Sequence, residues 1–378
     1  MERHPPGPHL FTPLTIRAAT FRNRIVLSPM CQYQAVDGHI GRWHLAHHSR
    51  FALGGLGAAI LEATSVTADG RITPGCTGIY DDAHISGLRS ITELYRDHGV
   101  LSGIQLSHAG RKGSTARPWE GAAPLEANGE EPAWRTVAPS AVPARPEWPV
   151  PLALCEDGIA AIVEAFRTAT LRSYEAGFDF VEIHGAHGYL IHSFLSPLAN
   201  QRNDRFGGSL ENRMRFALMV AEAVRSVSSH DRPIFYRASV IDDVEGGVTL
   251  EDSIVLATAL RERGVDVVDC SAGGIVGPVA LGLLKQKPNF QVPLAAAIRA
   301  KAGVATMAVG LIIDPVSAEN AVANGHADLI ALGRELMADS NWVYRAARQL
   351  GVSNPEKVFP PEYAFYLGSG PIDLRCSI

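Results

Sequence analysis

The sequence has few cysteines, and none of them is paired in the way that a metal or cluster site requires. The five are widely scattered: Cys31, Cys76, Cys155, Cys270 and Cys376. Structural zinc and iron–sulfur sites take their ligands from closely spaced cysteines, so neither kind of site is predicted. An odd number of scattered thiols is typical of a reducing compartment.

The chain also lacks a long apolar run and an excess of basic residues. No charge-free apolar stretch of about 18 residues could span a bilayer, and the opening MERHPPGPHL has no apolar core of the signal-peptide type. Lys plus Arg number 34 and Asp plus Glu 39, which gives a net charge of −5. Nucleic acid or anionic lipid would require a basic surface. We therefore expect a cytoplasmic protein with a small-molecule substrate and no nucleic-acid or membrane partner.

What the sequence does contain is a regular alternation of two kinds of segment. Short runs rich in Val, Ile and Leu alternate with longer amphipathic stretches, as in a parallel sheet whose strands are buried on both faces. Eight such runs are present: 23–30, 57–66, 101–110, 178–186, 233–239, 265–273, 305–310 and 327–334. Eight strand-then-helix units predict an α/β fold of the (β/α)₈ TIM-barrel type. With 46% hydrophobic residues, the 378-residue chain is expected to form one domain over 1–378.

Local signals favour the barrel over a doubly wound sheet. No Gly-x-Gly-x-x-Gly follows the first strand, and GGLGAA at 54–59 precedes a strand, so we expect it to end a helix. Helices are predicted at 156–177, where Gly177 is the C-terminal stop, and at 209–227, where Ser209 is the N-cap.

Two segments fall outside the repeat. Residues 111–150 are rich in Pro, Gly and Trp and too long for an ordinary connection, so we expect an excursion over the C-terminal mouth of the barrel. Its tryptophans need a surface to pack against, which argues against disorder. Residues 351–378 are expected to form a C-terminal tail.

Polar residues cluster at the carboxyl ends of the predicted strands, where barrels of this kind form their sites. They are Cys31, Tyr33, Glu62, Thr64, Gln105, His108, Arg111, Lys112, His184, His187, Tyr189 and Arg237. His184 and His187 lie three residues apart and would point to opposite faces of an extended strand. They converge on one ligand only if the chain turns between them, which Gly185 and Gly188 make easy.

Three interpretations of this histidine pair are open. As metal ligands of a TIM-barrel hydrolase they would need His192 or Glu182 as a further ligand, but no His-Glu-x-x-His helix is present and Glu182 is expected to face away. As core histidines they would satisfy buried backbone groups. As N–H donors they would face a carbonyl or nitro oxygen on which negative charge develops, and Tyr189 would be a proton donor.

Five motifs also carry a family resemblance. NRIVLSPMCQY, IQLSHAGRK, FDFVEIHGAHGYLIHSFLSPLANQRNDRFGGSLENRMRF, DCSAG and ALGRELMADSNWV occur in this order between about residues 10 and 350. Together they resemble the Old Yellow Enzyme family, and Cys31 followed by Tyr33 is similar to its Cys-containing bacterial branch, which includes the xenobiotic reductases. The resemblance implies a (β/α)₈ barrel that binds FMN and takes hydride from NAD(P)H. It also implies reduction of the C=C bond of α,β-unsaturated carbonyl or nitro compounds by hydride transfer from N5 of FMN, with protonation by Tyr189.

The resemblance assigns roles to residues of this chain. His184 and His187 would hold the substrate oxygen, Tyr33 would contact substrate, and Cys31 would tune the flavin potential near N5. Arg237 would lie near the N1/O2 edge of the flavin, where positive charge stabilises the reduced form. The remaining residues implied to bind FMN are Ser28, Pro29, Met30, Cys31, Ala63, Gln105, Gly310, Gly333 and Arg334, the last three being candidates for the phosphate anchor because they follow strands 7 and 8.

The C-terminal tail departs from the family pattern. Some members end in an arginine that reaches the neighbouring subunit, whereas this tail reads PPEYAFYLGSGPIDLRCSI. Tyr366 is a candidate aromatic wall of the substrate site, and Arg375 matches no pattern. A homodimer or a dimer of dimers is expected. A metal-dependent hydrolase that uses His184 and His187 as ligands remains the alternative function.

Overall fold

A closed barrel of eight parallel strands forms the centre of the computed structural model, which describes residues 7–276 and 287–368. The strands are β1 (Ile25–Leu27), β2 (Ala58–Ser65), β3 (Leu101–Ser107), β4 (Phe180–Gly185), β5 (Ile234–Ser239), β6 (Val267–Ser271), β7 (Ala305–Ala308) and β8 (Leu329–Leu332). Ile330 of β8 pairs with Ile25 of β1, which closes the ring. The (β/α)₈ fold predicted from the sequence is confirmed. Each strand is shorter than its apolar run because the ends of the run have already entered the loops.

Helices alternate with the strands around the outside of the barrel. They are α1 (Arg42–Ala52), α2 (Ile85–Asp97), α3 (Glu156–Glu175), α4 (Leu190–Leu195), α5 (Leu210–Val227), α6 (Leu250–Glu262), α7 (Val292–Ala302), α8 (Pro315–Ala323), α9 (Arg334–Ala338), α10 (Trp342–Gln349) and α11 (Pro361–Gly368). Gly177 follows α3 with φ +98°, and the Ser209 hydroxyl accepts a hydrogen bond from the Asn212 N–H at 3.3 Å, so both predicted helix signals are confirmed. Among the described residues, no helix has the length and apolar character needed to cross a bilayer.

The amino-terminal end of the barrel is closed by apolar side chains. A hairpin formed by Leu14–Ile16 and Ala19–Phe21 lies at this end, and the buried Phe21 ring lies 5.9 Å from that of Phe180 and 6.1 Å from that of Phe235. Phe180 and Phe235 lie near the start of β4 and β5 and pack with other buried aliphatic side chains from the strands. The open end of the barrel is therefore its carboxyl end, where parallel-barrel sites form.

The long segment 111–150 contacts loops that follow several strands. Arg117 donates to the carbonyl oxygen of Tyr33 at 3.3 Å, and Arg111 donates to that of Ile275 at 3.0 Å. Trp134 donates to the Asp69 carbonyl at 2.9 Å. Its other two tryptophans contact Tyr33 and Arg145. These loops follow β1, β2 and β6, so the segment joins the carboxyl-end loops. The single-domain organisation stays a prediction.

Cys31, Cys76, Cys155 and Cys270 are free thiols. Arg375 and Cys376 lie outside the described residues.

Candidate active site

A cavity of about 620 Å³ lies at the carboxyl ends of the strands. This volume falls within the range of about 300–1,000 Å³ that is usual for cofactor and substrate sites. The structure brings 14 of the sequence-predicted site residues together in its wall: Ser28, Pro29, Met30, Cys31, Tyr33, Ala63, Gln105, His184, His187, Tyr189, Arg237, Gly310, Gly333 and Arg334. The roles assigned to them stay predictions.

Tyr366 is the one residue with a predicted binding role that the structure does not bring to this cavity, and five of the polar strand-end residues also lie outside its wall: Glu62, Thr64, His108, Arg111 and Lys112. Tyr366 lies on α11 with its side chain 72% exposed, beside Phe365. Wall residues that sequence reasoning missed include Ser271, Phe290, Gln291 and Glu335. Ser271 ends β6, so the strand-end rule could have found it.

The chain turns directly at the second histidine. His187 has φ +62° and Gly188 has φ +74°, and the His187 N–H donates to the Ser239 hydroxyl at 2.9 Å. A positive φ is strained for a histidine and is common at functional sites. The turn brings the rings of His184 and His187 to 5.2 Å between centroids. The two histidines therefore line one cavity, as the donor interpretation requires.

The expected role of Gly185 in this turn is wrong. Gly185 ends β4, and a Cβ atom there would lie 2.1 Å from the Tyr236 ring. The glycine is required because the buried Tyr236 side chain of β5 packs directly against the backbone of β4. The turn itself depends on His187 and Gly188.

A hydrogen bond fixes the tautomer of the neutral His184 ring. The Ala186 N–H donates to Nδ1 of His184 at 3.3 Å, so the proton of the neutral ring is on Nε2. Burial, and then the nearby Arg237, keep the pKa values of both His184 and His187 well below the usual range. Nε2 of His187 lies 2.7 Å from the Ser271 hydroxyl. Both rings are neutral at physiological pH, and His184 presents one N–H donor.

Lys112 and Tyr189 hold and complete this turn. The Lys112 ammonium donates to the carbonyl oxygens of His187, at 2.9 Å, and of Gly274, and burial lowers the pKa of Lys112 to about 7. The Tyr189 ring meets His184 edge-on at 4.9 Å between centroids. Burial raises the pKa of Tyr189 well above its usual value, so its phenol is protonated. A neutral donor and a neutral acid therefore lie side by side.

The loop after β1 is held by a buried carboxyl group. Glu62 accepts a hydrogen bond from the Gln32 N–H at 2.7 Å and lies 3.3 Å from Nε2 of His44. Burial, and then the Glu62 charge, raise the pKa of Cys31 well above its usual value. A protonated thiol is a poor nucleophile, so this environment disfavours covalent chemistry at Cys31. Tyr33 has φ +54° and packs edge-on against Trp119 at 5.9 Å.

Beneath the cavity lies a polar layer of the barrel interior, formed by Gln105, Glu182, Arg237 and Asp269. Gln105 donates through Nε2 to Glu182 at 2.7 Å, and Nε of Arg237 lies 3.2 Å from Asp269. Arg237 also donates to the Ser28 hydroxyl at 3.2 Å. The expectation that Glu182 faces away is wrong, because residues two apart on a strand share a face and Glu182 lies one layer below His184.

The part of the cavity wall that follows β7 and β8 has features that suit a phosphate. Gly310 has φ +110°. Gly333 directly precedes α9, and Arg334, the first residue of α9, lies in the cavity wall. Among the described residues, the Arg334 guanidinium has no hydrogen-bond or ion-pair partner. An unpaired cation in the wall fits the phosphate of the predicted FMN. The side-chain amide oxygen of Gln105, which also has no hydrogen-bond partner among the described residues, fits a flavin N–H.

The metal interpretation would need more ligands than the pair supplies. His192 is 2.8 Å from Asp242 through Nε2 and accepts the Gly188 N–H through Nδ1 at 2.8 Å. Both of its nitrogens are therefore used to hold the turn. Within residues 7–276 and 287–368, no group of three or more His, Cys, Asp or Glu side chains is placed to bind one metal ion.

Comparisons with known proteins agree with the site. The model of the NADH:flavin oxidoreductase / NADH oxidase family matches residues 9–352. An NADPH dehydrogenase of Geobacillus sp. (strain WCH70) is 43% identical over 346 residues, 91% of this chain and 95% of that protein. An NADPH dehydrogenase of Bacillus subtilis (strain 168) is 42% identical over 351 residues, 92% of this chain and 97% of that protein. The structure of morphinone reductase is similar with a TM-score of 0.73 and 28% identity, over 92% of this chain and 91% of that chain.

The family model matches most of the chain, and both NADPH dehydrogenases are more than 40% identical to it. These matches assign the family. The chain belongs to the NADH:flavin oxidoreductase / NADH oxidase family, the Old Yellow Enzyme family, and is an FMN-dependent NAD(P)H oxidoreductase.

Proposed function

We propose that this enzyme is an ene-reductase that reduces the C=C bond of α,β-unsaturated carbonyl or nitro compounds. The observation that carries the proposal is the neutral His184, whose Nδ1 is occupied by the Ala186 N–H, beside the protonated phenol of Tyr189 in one cavity. A donor and an acid placed together suit a substrate that gains negative charge on an oxygen and then a proton on carbon.

The histidines polarise the substrate oxygen. His184 donates through Nε2–H, and His187 donates through Nδ1 when Ser271 donates its hydroxyl hydrogen to Nε2. Both rings stay neutral, so they stabilise developing negative charge without transferring a proton. Tyr189 then protonates the α-carbon, since its hydroxyl is the acidic group next to His184. Lys112 stabilises this geometry by donating hydrogen bonds to the backbone carbonyl oxygens of His187 and Gly274.

FMN, when bound, supplies the hydride that the β-carbon accepts. We propose that the backbone at 28–30, with Ala63 and Gln105, would contact the flavin ring, that Arg237 would stabilise negative charge on the reduced ring, and that Gly310, Gly333 and Arg334 would hold its phosphate. Cys31 and Tyr33 would contact the substrate and the ring. The support for this arrangement is that one continuous cavity contains all of these residues.

We also propose a homodimer or a dimer of dimers. The exposed aromatic side chains of α11, with Phe365 66% and Tyr366 72% exposed, support a contact between copies. Light scattering of the purified protein tests this assembly.

The proposed activity is tested with three related compounds under nitrogen. The purified protein should carry FMN and oxidise NADPH rapidly with 2-cyclohexenone, because this compound has both a C=C bond and a carbonyl oxygen. 2-Cyclohexenol lacks the carbonyl and cyclohexanone lacks the alkene, so both should be inert. Equal NADPH oxidation with all three compounds, or with none, would remove the proposal.

A further inference from the structure

The polar layer beneath the cavity is unusual for the interior of a barrel. Barrel interiors are filled mainly by branched apolar side chains, yet this layer contains three ionisable groups. Glu182 and Asp269 are both 0% exposed. Below them lie the apolar rings of Phe180 and Phe235. A buried ionisable layer next to a cofactor site points to a function in charge balance.

The layer has two carboxyl groups and one guanidinium. Arg237 is 3.2 Å from Asp269 and compensates that charge, whereas Glu182 has only the neutral Gln105 amide as a hydrogen-bond donor, at 2.7 Å. One oxygen of Glu182 and both oxygens of Asp269 have no hydrogen-bond partner in the described residues. A second buried carboxylate without a cation is costly, and the usual response is protonation.

The surroundings of Glu182 point the same way. The charged and polar groups that face it are Gln105 from β3, Arg237 from β5 and Asp269 from β6. Burial, followed by the Asp269 charge, raises the pKa of Glu182 to about 8. Two of these neighbours, Gln105 and Arg237, also line the cavity. Charge that develops in the cavity therefore affects Glu182 electrostatically, because Gln105 contacts Glu182 and Arg237 faces it.

We propose that Glu182 is a positioning residue that carries a proton at neutral pH, and that above neutral pH it takes up a proton when the flavin is reduced. The inference rests on the proposed placement of FMN against Arg237. NADPH supplies two electrons as hydride, the negative charge of the reduced flavin favours protonated Glu182, and the proton comes from solvent. Below the pKa of Glu182 no extra proton is taken up, because the group is protonated in both redox states.

The test is the flavin midpoint potential between pH 6.5 and pH 9.5 in the holoenzyme and in Glu182→Gln, which keeps the acceptor for Gln105 but cannot ionise. The two potentials should coincide at pH 7. Above about pH 8 the wild-type potential should fall more steeply, by about 30 mV per pH unit for one extra proton per two electrons. An offset already present at pH 7, or equal potentials at every pH, would overturn the inference.

A second variant tests the same inference if Glu182→Gln does not fold. Asp269→Asn removes the competing carboxylate, so Arg237 would favour ionised Glu182 and the steep region should begin at lower pH. A steep region at unchanged pH would contradict the shared charge balance.

An infrared measurement tests the proton without turnover. The carbonyl band of a buried carboxylic acid should be present at pH 7 and absent in Glu182→Gln. Absence of this band from the wild type would refute the inference while leaving the ene-reductase proposal intact, whereas wild-type protein that has the band but binds no FMN would refute the proposed function.

Discussion

Replacement of Tyr189 by phenylalanine isolates the proton-transfer step. The ring is kept, and with it the edge contact to His184 at 4.9 Å and the position of the Lys112 ammonium 6.0 Å from the ring centroid. Only the hydroxyl is removed, and it has no hydrogen-bond partner among the described residues. We therefore expect the variant to fold and to bind FMN as the wild type does.

The expected effect falls on one half-reaction. Reduction by NADPH needs no proton from this side and should be nearly unchanged. Reoxidation by 2-cyclohexenone should slow by a factor on the order of 10²–10⁴, the usual contribution of a positioned acid, or about 3–5 kcal/mol of activation free energy. Burial keeps the wild-type phenol protonated, so the difference should persist across neutral pH.

Stopped-flow absorbance of the flavin under nitrogen separates the two half-reactions. A nitroalkene is the matched comparison, because its nitronate product is stable enough to leave and to be protonated in water, so it should suffer less than the enone. Equal slowing of both half-reactions, or no slowing with 2-cyclohexenone, would show that another group or water is the acid.

Substitutions in three further places test the other parts of the site. The double change His184→Ala and His187→Ala should leave FMN bound but weaken the binding of added phenols and the reduction of enones. The loss in rate measurements should be about 2.7–4 kcal/mol of transition-state stabilisation for each donor, and loss of flavin with turnover retained would contradict this prediction. Cys31→Ala should keep turnover and shift the midpoint potential measured by spectroelectrochemistry, because burial keeps the thiol protonated and disfavours a nucleophilic role; a dead oxidative half-reaction at unchanged potential would oppose this. Arg334→Ala should raise the FMN dissociation constant about 10- to 150-fold in fluorescence titration, since charged hydrogen bonds contribute about 1.5–3 kcal/mol, and Arg334→Lys should recover part of the loss; unchanged affinity would remove Arg334 from the phosphate site.

The barrel was predictable because its signal is periodic and local. Each buried parallel strand is an apolar run of limited length, and eight of them with intervening helices allow few other folds. Many cavity residues, among them Gln105, His184 and Arg237, followed from one rule, that side chains at strand carboxyl ends converge, whereas Ser28, Pro29, Met30 and Ala63 followed only from the family resemblance. Gln105, His184 and Arg237 lie on three different strands and still line one cavity.

The parts that sequence reasoning missed depend on contacts between distant segments. The need for glycine at position 185 comes from Tyr236 on the next strand, which no local pattern reveals. The direction of Glu182 follows from strand alternation, but its importance follows from Asp269, which is 87 residues away in the sequence. The position of Tyr366 depends on how the tail packs, and the tail has no repeat to fix it.

The most direct test of the central claim is a single turnover of the NADPH-reduced enzyme with 2-cyclohexenone under nitrogen, with the products measured by gas chromatography. The account predicts that the flavin absorbance returns and that one cyclohexanone forms for each FMN, and that His184→Ala with His187→Ala slows both events together. Flavin that returns to the oxidised state without formation of cyclohexanone, or that stays reduced in the presence of the enone, would contradict it.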